Sequence, residues 1–141
     1  FSGDPARRWP TEHAARCLAK LVEEHEGTLF LSSGNDAKAW NDQFLDAWPI
    51  GKRAPVDLLR EQKDLAFELE LYHRADCYIG VNSFTANLAM NCDLRSVVLY
   101  NKQADFLNYR RNSVGVFPET GADIASIYPA AVSDAFAGIL S

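Results

Sequence analysis

The spacing of apolar residues switches period repeatedly along this chain, and that alternation limits its fold more than any other feature. In "WPTEHAARCLAKLVEEHEG", Ala14, Cys17, Leu18, Leu21 and Val22 recur at i, i+3, i+4, i+7 and i+8, the single stripe of a helix packed on one side. Pro10 suits the first helical turn, where its missing N–H is not needed, and Gly27 is a natural C′ stop. "TLFLSSG" is a short apolar run ending in small polar residues, the pattern of a buried strand. "DAKAWNDQFLDAWP" returns to helical spacing through Ala37, Trp40, Phe44 and Trp48, and Pro49 closes it.

"IGKRAPVDLLREQ" holds Pro55 and allows at most a short strand. "DLAFELELYHRA" reads as a helix, "DCYIGV" as a strand, "SFTANLAMNC" as a short helix and "SVVLY" as a strand buried on both faces. A mixed segment follows. The tail "YPAAVSDAFAGIL" places Val132, Ala135, Phe136, Ile139 and Leu140 at helical spacing behind Pro129.

Strands that alternate with helices require parallel crossovers. The predicted fold is therefore α/β, a Rossmann-like three-layer αβα sandwich around a mostly parallel sheet. Its 141 residues suffice for one domain, 1–141, and not for two. Nearly half of them are apolar (48%) and 23% are charged, a soluble globular composition.

The net charge of −5 lacks the basic excess of a general nucleic-acid binder, so no nucleic-acid partner is expected. Cys17, Cys77 and Cys92 are odd in number, show no CxxC spacing and read as buried free thiols. His13, His25 and His73 adjoin no cysteine, so no metal site is expected. No apolar run is long enough to span a bilayer, and no signal peptide is visible. A reducing cytoplasmic location fits these features. The chain opens at "FSGDP" without an initiator Met and reads as part of something longer.

In open parallel sheets, ligands sit beyond the carboxyl ends of the strands. Two polar stretches fall there, and the opening stretch "FSGDPARRWP" makes a third if a strand precedes it. In "DCYIGVNSFTANLA", Ser83 is placed to cap the next helix by accepting from Thr85 or Ala86 N–H. The remaining N–H groups of that turn, with the helix dipole behind them, form an anion site, and Asn82 and Asn87 add side-chain donors. The same groups are also what a plain helix cap would need.

"ARRWP" sets Arg7 and Arg8 before a helix start, where they oppose the dipole. A bound phosphate accounts for the pair, as does a solvated surface. Trp9 reads as a core anchor. "SSGND" supplies Gly34 for close backbone approach and Asp36, either an acceptor for ribose hydroxyls or an N-cap. The chain has no GxGxxG, no GxxxxGK[ST], no GxSxG and no evident Cys–His pair. These absences disfavour nicotinamide dehydrogenase, P-loop NTPase and nucleophilic hydrolase readings.

Taken together, "ARRWPTEHAARCLAKL", "LFLSSGND", "ELYHRADCYIGVNSFTANLA", "VVLY" and the closing amphipathic helix resemble the C-terminal half of glycosyltransferase family 9, the ADP-heptose:lipopolysaccharide heptosyltransferases. The resemblance runs from about Gly3 to Leu140. It is most specific at the K-x-W-P helix start and the G-x-D-[ST]-G-x-x-H-L-A turn. It implies one half of a GT-B architecture, the donor-binding domain, without its first strand and without the N-terminal acceptor domain.

By position, Arg7 stands at the family's phosphate- or sugar-contacting lysine, and Asp36 lies near its acidic ribose ligand. Asn82 replaces its aspartate, Ser83 matches its Thr/Ser, Phe84 replaces its glycine and Asn87 replaces its histidine. The implied donor-binding residues are thus Arg7, Arg8, Asp36, Asn82, Ser83, Phe84, Thr85 and Asn87. No cofactor is implied beyond a nucleoside-diphosphate sugar.

The partners implied are that donor and a glycan or lipid-linked glycan acceptor, met by the missing domain in the cytoplasm or at the inner membrane face. The substitutions imply a different sugar, a different nucleotide or a lapsed activity. Two other classes remain open: a catalytically silent nucleotide- or protein-binding module, and a relative of nucleotide-sugar epimerases.

Overall fold

A computed structural model of the chain describes residues 7–32, 38–58, 64–101, 112–119 and 123–141. Five helices and five short strands alternate along them: α1 (Thr11–Glu24), β1 (Phe30–Leu31), α2 (Lys38–Asp46), β2 (Val56–Asp57), α3 (Leu65–Arg74), β3 (Cys77–Val81), α4 (Phe84–Asn91), β4 (Arg95–Leu99), β5 (Ser113–Val116) and α5 (Pro129–Leu140). A 3-10 turn over Ile124–Ser126 leads into α5.

All the strand pairings are parallel. β1 pairs with β2, and β3, β4 and β5 form a second sheet in that order. Among the described residues no ladder joins β1 to β3.

β4 shows why the molecule has three layers. Its residues alternate between faces with the two-residue period of a strand. Val97 and Leu99 enter a core cluster with Trp9, Leu18, Phe44 and Val132, whereas Val98 and Tyr100 pack against Ala86 and Met90 of α4. Helices α1, α2 and α5 thus cover one face, and α3 and α4 the other. Each wholly buried aliphatic side chain in these clusters contributes about 1.5–3 kcal/mol.

The local signals act at slightly different residues from those expected. Pro10 occupies the N-cap of α1, one position before the helix proper. At the other end Glu26, not Gly27, takes the left-handed position, with φ of 50°. Gly27 N–H then reaches Val22 O at 2.9 Å and Glu26 N–H reaches Glu23 O at 3.4 Å, the paired bonds of a Schellman stop. The Arg53 guanidinium donates to Gly27 O at 2.8 Å and so ties down this turn. α2 ends at Asp46, so Trp48 lies beyond it but still packs on Phe44.

The mixed segment contains β5. Its four residues include Gly115 and offer too short an apolar run to be recognised from sequence. Among the cysteines, Cys17 is buried but Cys77 and Cys92 are only half-buried, in contrast to the expectation; all three are free. Burial pushes the Cys17 thiol up, and pushes that of Cys77 up to about 12. No helix among the described residues is long and apolar enough to cross a membrane.

Candidate functional site

The helix that follows a parallel strand starts at that strand's carboxyl end, so the first turn of α4 and the residues just past β3 and β4 share one rim. Asn82 follows β3, and its N–H donates to Leu99 O at 2.9 Å, binding the ends of β3 and β4 together. Asn101 comes two residues after the end of β4. Arg7, Asn82, Asn101 and Ile124 line one small cavity of about 10 Å³, room for about one water molecule. The segment before α1 and the turn after β3, 75 residues apart in sequence, therefore meet.

Trp9 explains why Arg7 is held there. Its ring is fully buried, its Nε1–H donates to Ile127 O at 2.8 Å, and its own carbonyl accepts from Trp40 Nε1–H at 2.8 Å. The "RRWP" segment is thereby fixed to α2 on one side and to the lead-in of α5 on the other. Trp9 is a core anchor, as expected.

At the start of α4, Ser83 caps the helix, its Oγ accepting from Ala86 N–H at 3.3 Å. Ser83 Oγ also lies 2.9 Å from Thr85 Oγ1, which lies 3.2 Å from the Tyr78 hydroxyl. Three hydroxyls thus join the first turn of α4 to the strand beneath it. The Asn87 amide donates to Ser83 O at 2.9 Å. Phe84 is 73% exposed on this turn. Because the helix starts here, the backbone N–H groups of Phe84 and Thr85 have no carbonyl four residues back to bond, and the dipole adds positive potential.

Gly80 makes the hydroxyl chain possible. A Cβ built there would fall 2.7 Å from Tyr78 Cζ and 3.0 Å from Cε1, and closer still to the hydroxyl oxygen. Tyr78 therefore lies along β3 over Gly80 and carries its hydroxyl to the rim. Burial pushes its ionisation up.

A second polar group stands on the same edge. Glu68 is in the first turn of α3, which begins at the carboxyl side of the sheet because it follows β2. Its Oε1 accepts from Ser32 Oγ at 2.8 Å, just beyond β1. Among the described residues, Asn101 Oδ1 is buried without a hydrogen-bond partner. Tyr72 lies one turn further along α3, and burial, Tyr78 and the Glu68 carboxylate all push its hydroxyl up.

Of the expected site residues, Arg7 and Asn82 are brought to one cavity, and Ser83, Phe84, Thr85 and Asn87 form the adjoining turn. Arg8 is half-buried beside Arg7. Asp36 and Gly34 lie outside the described residues. Asn101 and Glu68 were not anticipated. Asn101 directly follows the strand pattern "SVVLY" and was within reach of the strand-end rule. Glu68 carries no local signal, because its partner Ser32 is 36 residues away.

No family model matches the chain, and no curated protein matches it. Among solved structures, it is similar to a glycosyl transferase of family 9 from Veillonella parvula, with a TM-score of 0.84 at 15% identity over 99% of this chain and 44% of that one. It is also similar to the E. coli ADP-heptose LPS heptosyltransferase II, with a TM-score of 0.81 at 20% identity over 96% of this chain and 43% of that one. The chain spans less than half the length of either structure. At these identities the likeness is one of architecture: this chain has an α/β fold found within both glycosyltransferases, as the resemblance of its motifs implied.

Proposed function

We propose that this chain is the donor-binding domain of a glycosyltransferase that moves a sugar from a nucleoside-diphosphate sugar to a glycan or lipopolysaccharide acceptor. The observation that carries this reading is the cavity shared by Arg7 and Asn82 beside the capped N-terminus of α4. A guanidinium and a helix start on one rim suit a diphosphate, through charge-assisted hydrogen bonds and the dipole.

During transfer, negative charge builds on the departing diphosphate. Groups fixed in advance at that point stabilise the transition state without reorganising. Trp9 holds the Arg7 segment and the Tyr78–Thr85–Ser83 hydroxyls hold the α4 turn, so both arms of the cradle are set before a ligand arrives. The acceptor and the general base belong to a facing domain in this reading. The working site is cytoplasmic or at the inner membrane face, and no cofactor is called for.

A silent binding module is the second reading. It is favoured by the Asn87 amide being engaged by Ser83 O and by the exposed Phe84 ring at a position where a glycine would leave the backbone open.

Titration with ADP, UDP and GDP, followed by amide chemical shifts, tests the proposal. Weak binding of one diphosphate with shifts at Ser83–Asn87 is expected, and the chain alone should transfer no sugar. Arg7→Ala should weaken the diphosphate more than the corresponding nucleoside. No response to any nucleotide, or an equal effect of Arg7→Ala on both, refutes the reading.

A further inference from the structure

We infer that Asn101 is a specificity-determining residue of this site, its side-chain oxygen accepting a hydrogen bond from a hydroxyl of the transferred sugar; the inference rests on the donor-binding reading above. Asn101 stands on the carboxyl rim, just past β4. It lines the small cavity together with Arg7, Asn82 and Ile124. Its Oδ1 is shut off from solvent and, among the described residues, has no hydrogen-bond partner.

A buried acceptor left unmatched weakens a fold, whereas an apolar side chain of similar size would not. An amide kept at such a place is accounted for when a ligand completes its bonding. The polar groups around the cavity narrow what that ligand group is. A guanidinium only donates, and an asparagine amide both donates and accepts. A phosphate oxygen only accepts, so it suits Arg7 but leaves Asn101 Oδ1 unmatched. An ammonium group only donates, and it would set a second positive charge beside Arg7. A neutral hydroxyl does both: its hydrogen goes to Oδ1, and its oxygen accepts from Arg7 or the Asn82 amide. The cavity of about 10 Å³ has room for about one water molecule, and a hydroxyl is no larger.

Asn82 connects this cavity to the proposed diphosphate cradle, since it lines the one and directly precedes Ser83, the cap of α4, in the other. In a sugar nucleotide the transferred sugar carries a hydroxyl beside its anomeric carbon, next to the diphosphate. The ribose hydroxyls are further off, beyond the 5′ carbon. A diphosphate at the α4 turn therefore presents the sugar's hydroxyl to Asn101.

The test measures affinity of the chain for whichever of ADP, UDP and GDP binds, and for its glucose, galactose and mannose conjugates. Wild type, Asn101→Ala and Asn101→Leu are compared, and each is also melted without ligand. At least one conjugate should bind wild type roughly tenfold more tightly than the plain diphosphate, the worth of one well-placed hydrogen bond. Both variants should lose most of that gain and keep their affinity for the diphosphate. Without ligand Asn101→Leu should melt no lower than wild type, because it removes an unmatched acceptor. Asn101→Ala serves if leucine overpacks the cavity.

A gain that survives in both variants, or no gain for any conjugate in wild type, overturns the role of Asn101 and leaves the donor-binding reading intact. Equal weakening of the diphosphate and its conjugates means that Asn101 serves the ribose or the fold, and overturns the inference. Failure of both variants to fold assigns Asn101 to the fold and also overturns it. Failure of the wild type to bind any of the nucleotides overturns both readings.

Discussion

Replacing Gly80 with alanine tests whether the hydroxyl chain under the α4 turn is built as described. The backbone there does not require glycine by its φ, and alanine in place of glycine would ordinarily stabilise by about 0.4–1 kcal/mol through the unfolded state. The added methyl instead meets the Tyr78 ring at 2.7 Å from Cζ and 3.0 Å from Cε1. Tyr78 cannot swing away cheaply, since its hydroxyl bonds Thr85 and its ring sits edge-on to Tyr72 at a centroid distance of 6.1 Å.

Overpacking of this kind costs about 1–3 kcal/mol, and losing the Tyr78–Thr85 bond adds about 1 kcal/mol. The net for Gly80→Ala is a destabilisation of about 1–3.5 kcal/mol, or roughly 4–14 °C in Tm for a domain of this size. In a Tyr78→Leu background the atoms that meet the methyl are gone, so Gly80→Ala should be neutral or stabilising there. Urea unfolding of the four proteins of this cycle gives the coupling directly. A Gly80→Ala cost of the same size in both backgrounds would refute the argument, because the clash would then not be with Tyr78.

Two further outcomes are expected. Trp9→Phe strips the donor from the buried Ile127 carbonyl and leaves space beside it, and should lower stability by about 2–4 kcal/mol, read from the urea midpoint. Above pH 9 stability should fall: the Cys77 thiol is raised from 9.0 to about 12 in the folded chain, so its contribution is complete below pH 9 and is lost as the pH climbs toward 12. Tyr72 and Tyr78 add to the decline above pH 10, being raised by burial as well. Unfolding midpoints from pH 8 to 11 measure this, and Cys77→Ala should flatten the first part; a midpoint constant across that range contradicts it.

Much of this molecule was legible in its residues alone, because the signals are local. The stripe from Ala14 to Leu21, the strand "SVVLY", Ser83 as cap and Trp9 as anchor each follow from periodicity or from the needs of backbone N–H groups near in sequence. Alternation of those elements then implied parallel crossovers and a rim for ligands. What lay beyond the sequence was set by contacts between distant segments. That Glu26 rather than Gly27 adopts the left-handed stop, that Gly80 exists to let Tyr78 lie over it, and that β5 completes a sheet all depend on neighbours supplied by the fold.

The site divides in the same way. Polar loops made Arg7 and Asn82 candidates, but only tertiary packing decided that the two share a cavity with Asn101, and that a carboxylate on α3 reaches across to Ser32. A residue's chemistry is written in the chain; its partners are settled where the layers close, since hydrogen bonds and burial act over a few ångströms of space, whatever the distance along the sequence.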